Sequence, residues 1–241
     1  MLLQLLKGRM VKKKRQVKTL IPFLFTFANV FFGFLSVVKT LEGHFVSAAF
    51  FILCAALMDT LDGRVARYLK TEGQLGAELD SLSDAVSFCL APAILLYHWL
   101  TYHFCYTPLA MAAVVFYVCA GLFRLARFNV KKANTNNFFS GLPTTVAAVF
   151  FAFLVVHQKQ FSQNILISLV VLLSFLMLSA LQFPSFNKVI SILKRSHSIV
   201  LLVIGMAIVW GFYNHYPVFL ILAGTYIVGS VVVGNLIMAK S

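Results

Sequence analysis

The stretch from Met58 to Asp84 reads MDTLDGRVARYLKTEGQLGAELDSLSD and holds Asp59, Asp62, Asp80 and Asp84. Wound as a helix through Arg67, its first part puts Asp59, Asp62, Gly63, Ala66 and Arg67 at i, i+3, i+4, i+7 and i+8, on one face. A second helix starting near Gly76 puts Gly76, Asp80 and Asp84 at i, i+4 and i+8, again on one face. A short turn around residues 70–74 would bring the two faces together. Four carboxylates converging in a partly dehydrated site repel one another strongly, and divalent cations supply the counter-charge. An all-oxygen ligand set without Cys or His suits two hard ions, Mg²⁺ or Mn²⁺ with Ca²⁺ as a further option, and argues against zinc. Two ions held by shared carboxylates would clamp a phosphate-bearing substrate. Gly63 and Gly76, each one turn from an aspartate, leave room for a bulky group to lie against bare backbone.

Two aspartates alone would be explained as well by pairing with Arg64 or Arg67 at a helix end; four of them, interleaved with Gly, Ala and Arg, favour a site. The other functional class open to such a cluster is cation or proton transport, with the ion as cargo. The cluster's place near the end of a span, and the lack of Pro- or Gly-broken helices in paired positions, weigh against transport.

The elements that must position these residues are those of a membrane protein. The 241-residue chain is 61% hydrophobic with a mean hydropathy of +0.90 and only 11% charged residues, far below an ordinary soluble domain. Its acidic residues are Glu42, Asp59, Asp62, Glu72, Glu78, Asp80 and Asp84, so beyond residue 84 there is none. A window of roughly 20 residues predicts eight spans, at 20–38, 45–63, 80–100, 107–123, 142–157, 163–183, 198–213 and 217–238. The expected fold is all-α, with residues 1–19 a basic interfacial segment, 20–183 a six-helix catalytic core, and 184–241 a loop and two additional spans. An even number of spans places both termini on one side. Of the 20 Lys and Arg, only Lys39 and Lys159 fall in loops on the opposite side, which the positive-inside rule reads as cytoplasmic termini and a cytoplasmic aspartate cluster.

The net charge of +13 follows this topology and does not imply a nucleic-acid partner. Lys7, Arg9, Lys12, Lys13, Lys14, Arg15 and Lys18 flank the first span as an interfacial segment attracted to anionic lipid. The run after them lacks a signal cleavage site and is expected to stay in the mature protein. Cys54, Cys89, Cys105 and Cys119 stand singly and read as small apolar helix residues.

The pattern Asp59-x2-Asp62-Gly63-x2-Ala66-Arg67-x8-Gly76-x3-Asp80-x3-Asp84 resembles the signature of the CDP-alcohol phosphotransferase family at eight fixed positions within a stretch of 26. The resemblance implies a membrane enzyme with a six-helix core, commonly homodimeric. Such an enzyme transfers a phosphoalcohol or phosphatidyl group from a CDP-linked donor to an acceptor hydroxyl and releases CMP. It implies that Asp59, Asp62 and Asp80 bind the metals, and that Asp84 both contacts a metal and acts as general base. It also implies that Gly63, Ala66, Arg67 and Gly76 accommodate nucleotide and diphosphate.

Thr26 and Asn29, i and i+3 in IPFLFTFANVFFGFLSV, form a polar face on an apolar helix, for which helix–helix hydrogen bonding is the plain alternative. They resemble the T-x-x-N element of the phosphatidylserine synthase branch, which lies beside the nucleotide pocket. Arg124 and Arg127 in GLFRLARFNV could hold a lipid phosphate or an acceptor carboxylate, or simply snorkel to the headgroups. The words RLARFN and GLP resemble the same branch. Phe23 and Thr144 depart from it, where Asn and a second proline are usual. The resemblance implies transfer of the phosphatidyl group of CDP-diacylglycerol to L-serine, giving phosphatidylserine and CMP, in a bacterial inner membrane. Glycerol 3-phosphate, inositol phosphate and choline are the alternative acceptors that the shared core leaves open.

Overall fold

The structure, a computed structural model, describes residues 2–69, 71, 73–104, 108–132, 139–156, 162–179 and 182–183. The spans expected at 198–213 and 217–238, and the basic loop before them, lie outside the described residues. Four helical segments are long and apolar enough to cross a membrane: Ile21–Leu41, Phe45–Leu69, Gln74–Phe104 and Pro108–Val130. Two shorter apolar helices, Thr144–Val156 and Gln163–Leu178, follow where the fifth and sixth spans were expected.

In chain order these are α1 (Leu2–Leu41), α2 (Phe45–Leu69), α3 (Gln74–Asp84), a π-helical turn (Ala85–Leu90), α4 (Ala91–Phe104), α5 (Pro108–Lys132), α6 (Thr144–Val156) and α7 (Gln163–Leu178). α3, the π-turn and α4 run on as one rod. The all-α expectation holds except for a two-residue antiparallel ladder, in which Phe139 and Ser140 pair with Phe183 and Gln182. The ladder takes up residues expected at the end of the sixth span, because α7 stops at Leu178.

α1 and α2 are joined by a glycine-ended hairpin. His44 donates its N–H to the Lys39 carbonyl at 2.9 Å and Gly43 to the Thr40 carbonyl at 3.0 Å, with Gly43 at φ 78°. This is the Schellman arrangement, and its left-handed position favours glycine. α1 has two distinct faces. Leu24, Phe27, Phe31 and Phe34 point outward, whereas Thr26, Asn29, Gly33, Ser36 and Thr40 are buried against the rest of the bundle. Lipid offers no drive to bury apolar surface, so small and polar side chains take the interhelical face, where backbones approach closely.

The same logic recurs deeper in the bundle. α2 lies on α6, and Ala48, Ala49 and Ala55 on the one and Ala147, Ala148 and Ala152 on the other are fully buried. Ile52, Phe88, Leu95, Leu96, Trp99, Tyr117 and Phe151 fill the core around the rod. Two glycines set the rod's distance from its neighbours. A Cβ on Gly33 would overlap the Ser87 hydroxyl and sit 2.9 Å from the Ser87 Cα, and one on Gly121 would lie 2.6 Å from the Cys89 sulfur. Gly33→Ala is therefore expected to lower stability by about 1–3 kcal/mol, read as a lower thermal midpoint in detergent. An unshifted midpoint would mean that α1 does not seat against Ser87.

Candidate active site

α2 does not stop where its apolar stretch ends. It runs to Leu69, carrying Asp59 and Asp62, and α3 starts at Gln74, so a few residues return the chain beside itself. The tight return brings one carboxylate oxygen each of Asp59, Asp80 and Asp84 within 4.8 Å of one another. At such a separation each pair of ionised groups repels by on the order of 3 kcal/mol at an effective dielectric of 20. Oxygen ligands of a hard cation, at roughly 2.0–2.6 Å from it, lie at most about 4–5 Å apart. The three carboxylates, whose donor atoms are all hard oxygens, are therefore close enough together to share a metal ion.

Asp62 stands outside that group. It is only 6% exposed, and the Thr26 hydroxyl donates to its carboxylate at 2.5 Å. A carbonyl of Pro22 lies farther from the same hydroxyl, at 3.2 Å. The Asn29 amide donates to Asp84 at 3.4 Å, while its backbone carbonyl accepts the Ser87 hydroxyl at 3.0 Å. Thr26 and Asn29 thus face two of the aspartates, three residues apart on the buried side of α1. Beside a nucleotide pocket was the expectation; here their contacts are to the acids.

Around the carboxylates the chain leaves space. Its own helix backbone and chain neighbours aside, no heavy atom of the described residues lies within 4 Å of where a Gly63 Cβ would sit, and at Gly76 the one such neighbour is the Phe23 ring at 3.6 Å. Ala66 is half-buried and Arg67, like Arg64, is exposed. Phe23, noted above as a departure, is thereby the residue that borders Gly76.

The two α5 arginines have different surroundings. Arg124 is 8% exposed, donates to the Thr144 hydroxyl at 3.3 Å and lies within electrostatic reach of Asp84, while its buried Nε has no hydrogen-bond partner among the described residues. Arg127 donates to the carbonyls of Met177, Leu178 and Ser179 at 3.0, 3.0 and 3.2 Å, closing the C-terminus of α7. Those carbonyls have no intrahelical donors, and a guanidinium satisfies them and opposes the helix dipole. Arg127 thus reaches the end of α7, while Arg124 lies toward Asp84.

Several contributors were missed from sequence. Ser87 and Thr144 orient Asn29 and Arg124, and Asn129 accepts from Ser81 at 3.0 Å while donating to Glu78 at 3.3 Å, tying α5 to α3. Asn129 lies in the word RLARFN, so the signal was present there, unassigned.

Residues 19–181 match the model of the CDP-alcohol phosphatidyltransferase family. The chain is 34% identical over 177 residues to a CDP-diacylglycerol–serine O-phosphatidyltransferase of Helicobacter pylori, covering 70% of this chain and 74% of that one. It is 36% identical over 171 residues to an archaetidylserine synthase of Methanothermobacter thermautotrophicus, covering 68% and 69%. To the CDP-diacylglycerol–serine O-phosphatidyltransferase of Bacillus subtilis it is 32% identical over 168 residues, covering 70% and 92%.

Two substitutions separate the ion site from the scaffold. Asp80→Asn should weaken Mn²⁺ binding by about tenfold or more, the scale on which even outer partners of a metal act, as read by electron paramagnetic resonance of free Mn²⁺. An unchanged affinity would place the ion elsewhere. Arg127→Ala should instead lower the thermal midpoint and leave Mn²⁺ affinity alone; the reverse pattern would return Arg127 to the site.

Proposed function

The chain belongs to the CDP-alcohol phosphatidyltransferase family, and from that premise we propose that it transfers the phosphatidyl group of CDP-diacylglycerol to the hydroxyl of L-serine. The products are phosphatidylserine and CMP. The observation that carries the reading is the convergence of Asp59, Asp80 and Asp84 at the ends of α2 and α3, in a chain whose relatives are named for serine transfer.

In this reading Asp59, Asp62, Asp80 and Asp84 hold two divalent cations, Mg²⁺ or Mn²⁺. Ions bound there withdraw charge from the diphosphate and make CMP a better leaving group. Asp84 accepts the serine hydroxyl proton as that oxygen attacks the phosphorus attached to diacylglycerol. A new P–O bond forms in line with the breaking bond to CMP, which departs with the bonding electrons. Asn29, donating to Asp84 at 3.4 Å, orients the base. Arg124, buried with an Nε that has no hydrogen-bond partner among the described residues, holds the serine carboxylate or the donor phosphate. Gly63, Ala66, Arg67 and Gly76 border the cytidine and diphosphate, and the open space at Gly63 supports that placement.

The finer architecture belongs to the same proposal. Eight crossings place both termini and the site at the cytoplasmic face of a bacterial inner membrane, with the donor's acyl chains left in the bilayer. Residues 20–183 form the catalytic core, 184–241 add the last two spans, and the working unit is a homodimer.

Purified protein in detergent, given CDP-diacylglycerol and Mn²⁺ or Mg²⁺, should release CMP with L-serine and not with glycerol 3-phosphate, inositol phosphate or choline. Selectivity for another acceptor would overturn the serine assignment and keep the aspartate chemistry. Asp84→Asn should cut turnover by about 10²–10⁴-fold while CDP-diacylglycerol still binds, and wild-type turnover in that variant would remove Asp84 from the role of base.

A further inference from the structure

Directly after Asp84 the rod changes its winding. Residues Ala85–Leu90 form a π-helical turn, and the Ala91 N–H reaches the Val86 carbonyl five residues back. The sequence supplies a cause. Pro92, buried in the first turn of α4, has no N–H to give the Phe88 carbonyl four residues earlier, and in an α-helix its ring would press against that carbonyl. Widening the turn relieves the clash, and the donor that an α-helix would give the Phe88 oxygen is missing. Tyr117 of α5 supplies one from outside, its hydroxyl donating to the Phe88 carbonyl at 2.6 Å. Phe88 and Tyr117 are both fully buried, where an unpartnered carbonyl has no water to turn to.

A π-turn inserts one residue, equivalent to about 100° of helix rotation. On one side of it lie Asp80 and Asp84. On the other lie Leu95, Leu96, Trp99 and Leu100, which fix α4 in the core. The turn therefore sets the direction of the carboxylates relative to the bundle. It is gripped on the α1 side by Ser87 donating to Asn29 against Gly33, and on the α5 side by Cys89 against Gly121 and by Tyr117. The Tyr117 ring packs edge-on against Phe151 with centroids 5.1 Å apart, which holds the hydroxyl in place.

We propose that Tyr117 is a positioning residue for the transfer: through the Phe88 carbonyl it holds the helix register that aims Asp80 and Asp84 at Asp59. The catalytic consequence rests on reading those carboxylates as the metal centre, and the register itself does not. Pro92 creates the requirement and Tyr117 meets it from the next helix, 25 residues on in the sequence.

Tyr117→Phe keeps the ring and its contact with Phe151 and removes only the hydroxyl. Mn²⁺ should bind this variant about tenfold more weakly, kcat should fall with KM for CDP-diacylglycerol nearly unchanged, and amide exchange should accelerate across Val86–Ala91. Pro92→Ala restores an N–H within reach of the Phe88 carbonyl; it should let the stretch wind as α-helix, keeping thermal stability while Mn²⁺ affinity drops. A merely structural tyrosine predicts the opposite split, a lower thermal midpoint with Mn²⁺ affinity and kcat intact, and that result would overturn the inference. Should the unsubstituted protein bind no Mn²⁺, the metal reading fails by itself, and exchange at Val86–Ala91 still decides the register. Faster exchange in Tyr117→Phe supports it, and unaltered exchange refutes it.

Discussion

Everything near the site answers to one constraint: three carboxylates are held with oxygens within 4.8 Å of one another at the end of an apolar helical bundle. Their repulsion works against the return from α2 to α3 that creates the cluster. The described residues oppose it with few charges. Asn29 donates to Asp84, Thr26 to Asp62, and Arg124 stands within electrostatic reach of Asp84. That partial compensation leaves counter-charge for an ion to supply: fully paired carboxylates would have no reason to take up a cation. The small and polar face of α1 is then part of the chemistry, because only an interhelical surface of Thr, Asn, Gly and Ser lets that helix approach closely enough to serve the acids.

What was legible in the sequence was the part written in side-chain type and period. The first four apolar spans, the continuation of α2 through Arg67 and the approach of Asp59 to Asp80 and Asp84 follow from spacing, and the structure places them so. Asp62 was read as an equal member of the cluster. That one of its oxygens accepts from Thr26 depends on a contact across 36 residues that no local period contains. Arg124 and Arg127 look equivalent at i and i+3, yet one meets Thr144 and the other the carbonyls of α7. Backbone oxygens have no letter in a sequence, so a residue whose partners are carbonyls reads as an idle charge.

The π-turn is the clearest case of that blindness. Pro92 is visible, but a proline in a hydrophobic run tells only that one N–H is missing. Whether the helix kinks, breaks or widens depends on which neighbour offers the orphaned carbonyl a donor, and here that donor is 29 residues away at Tyr117. The glycines tell the same story in reverse. Gly63 and Gly76 stand beside aspartates, where a glycine signals space, whereas Gly33 and Gly121, which let α1 and α5 close on the rod, stand among apolar residues that give no such signal.

The placement of the site follows from the substrate it is proposed to serve. CDP-diacylglycerol has acyl chains that are stable only in the bilayer and a charged head that is stable only at its edge, so a reaction at the phosphorus has to occur where both remain solvated. A site at the midplane would dehydrate the diphosphate, and one in a soluble domain would extract the chains. Helices that carry their carboxylates at their ends avoid both costs, and α2 does this by continuing as helix from the buried Ile52 to the exposed Arg67. The glycine and alanine positions beside Asp62 and Asp80 keep that end of the bundle open, while the outward Leu24, Phe27, Phe31 and Phe34 of α1 provide the apolar wall beside it. One helix pair thus bridges the two media that the donor itself bridges, which is why the acidic residues of this chain are concentrated where α2 gives way to α3.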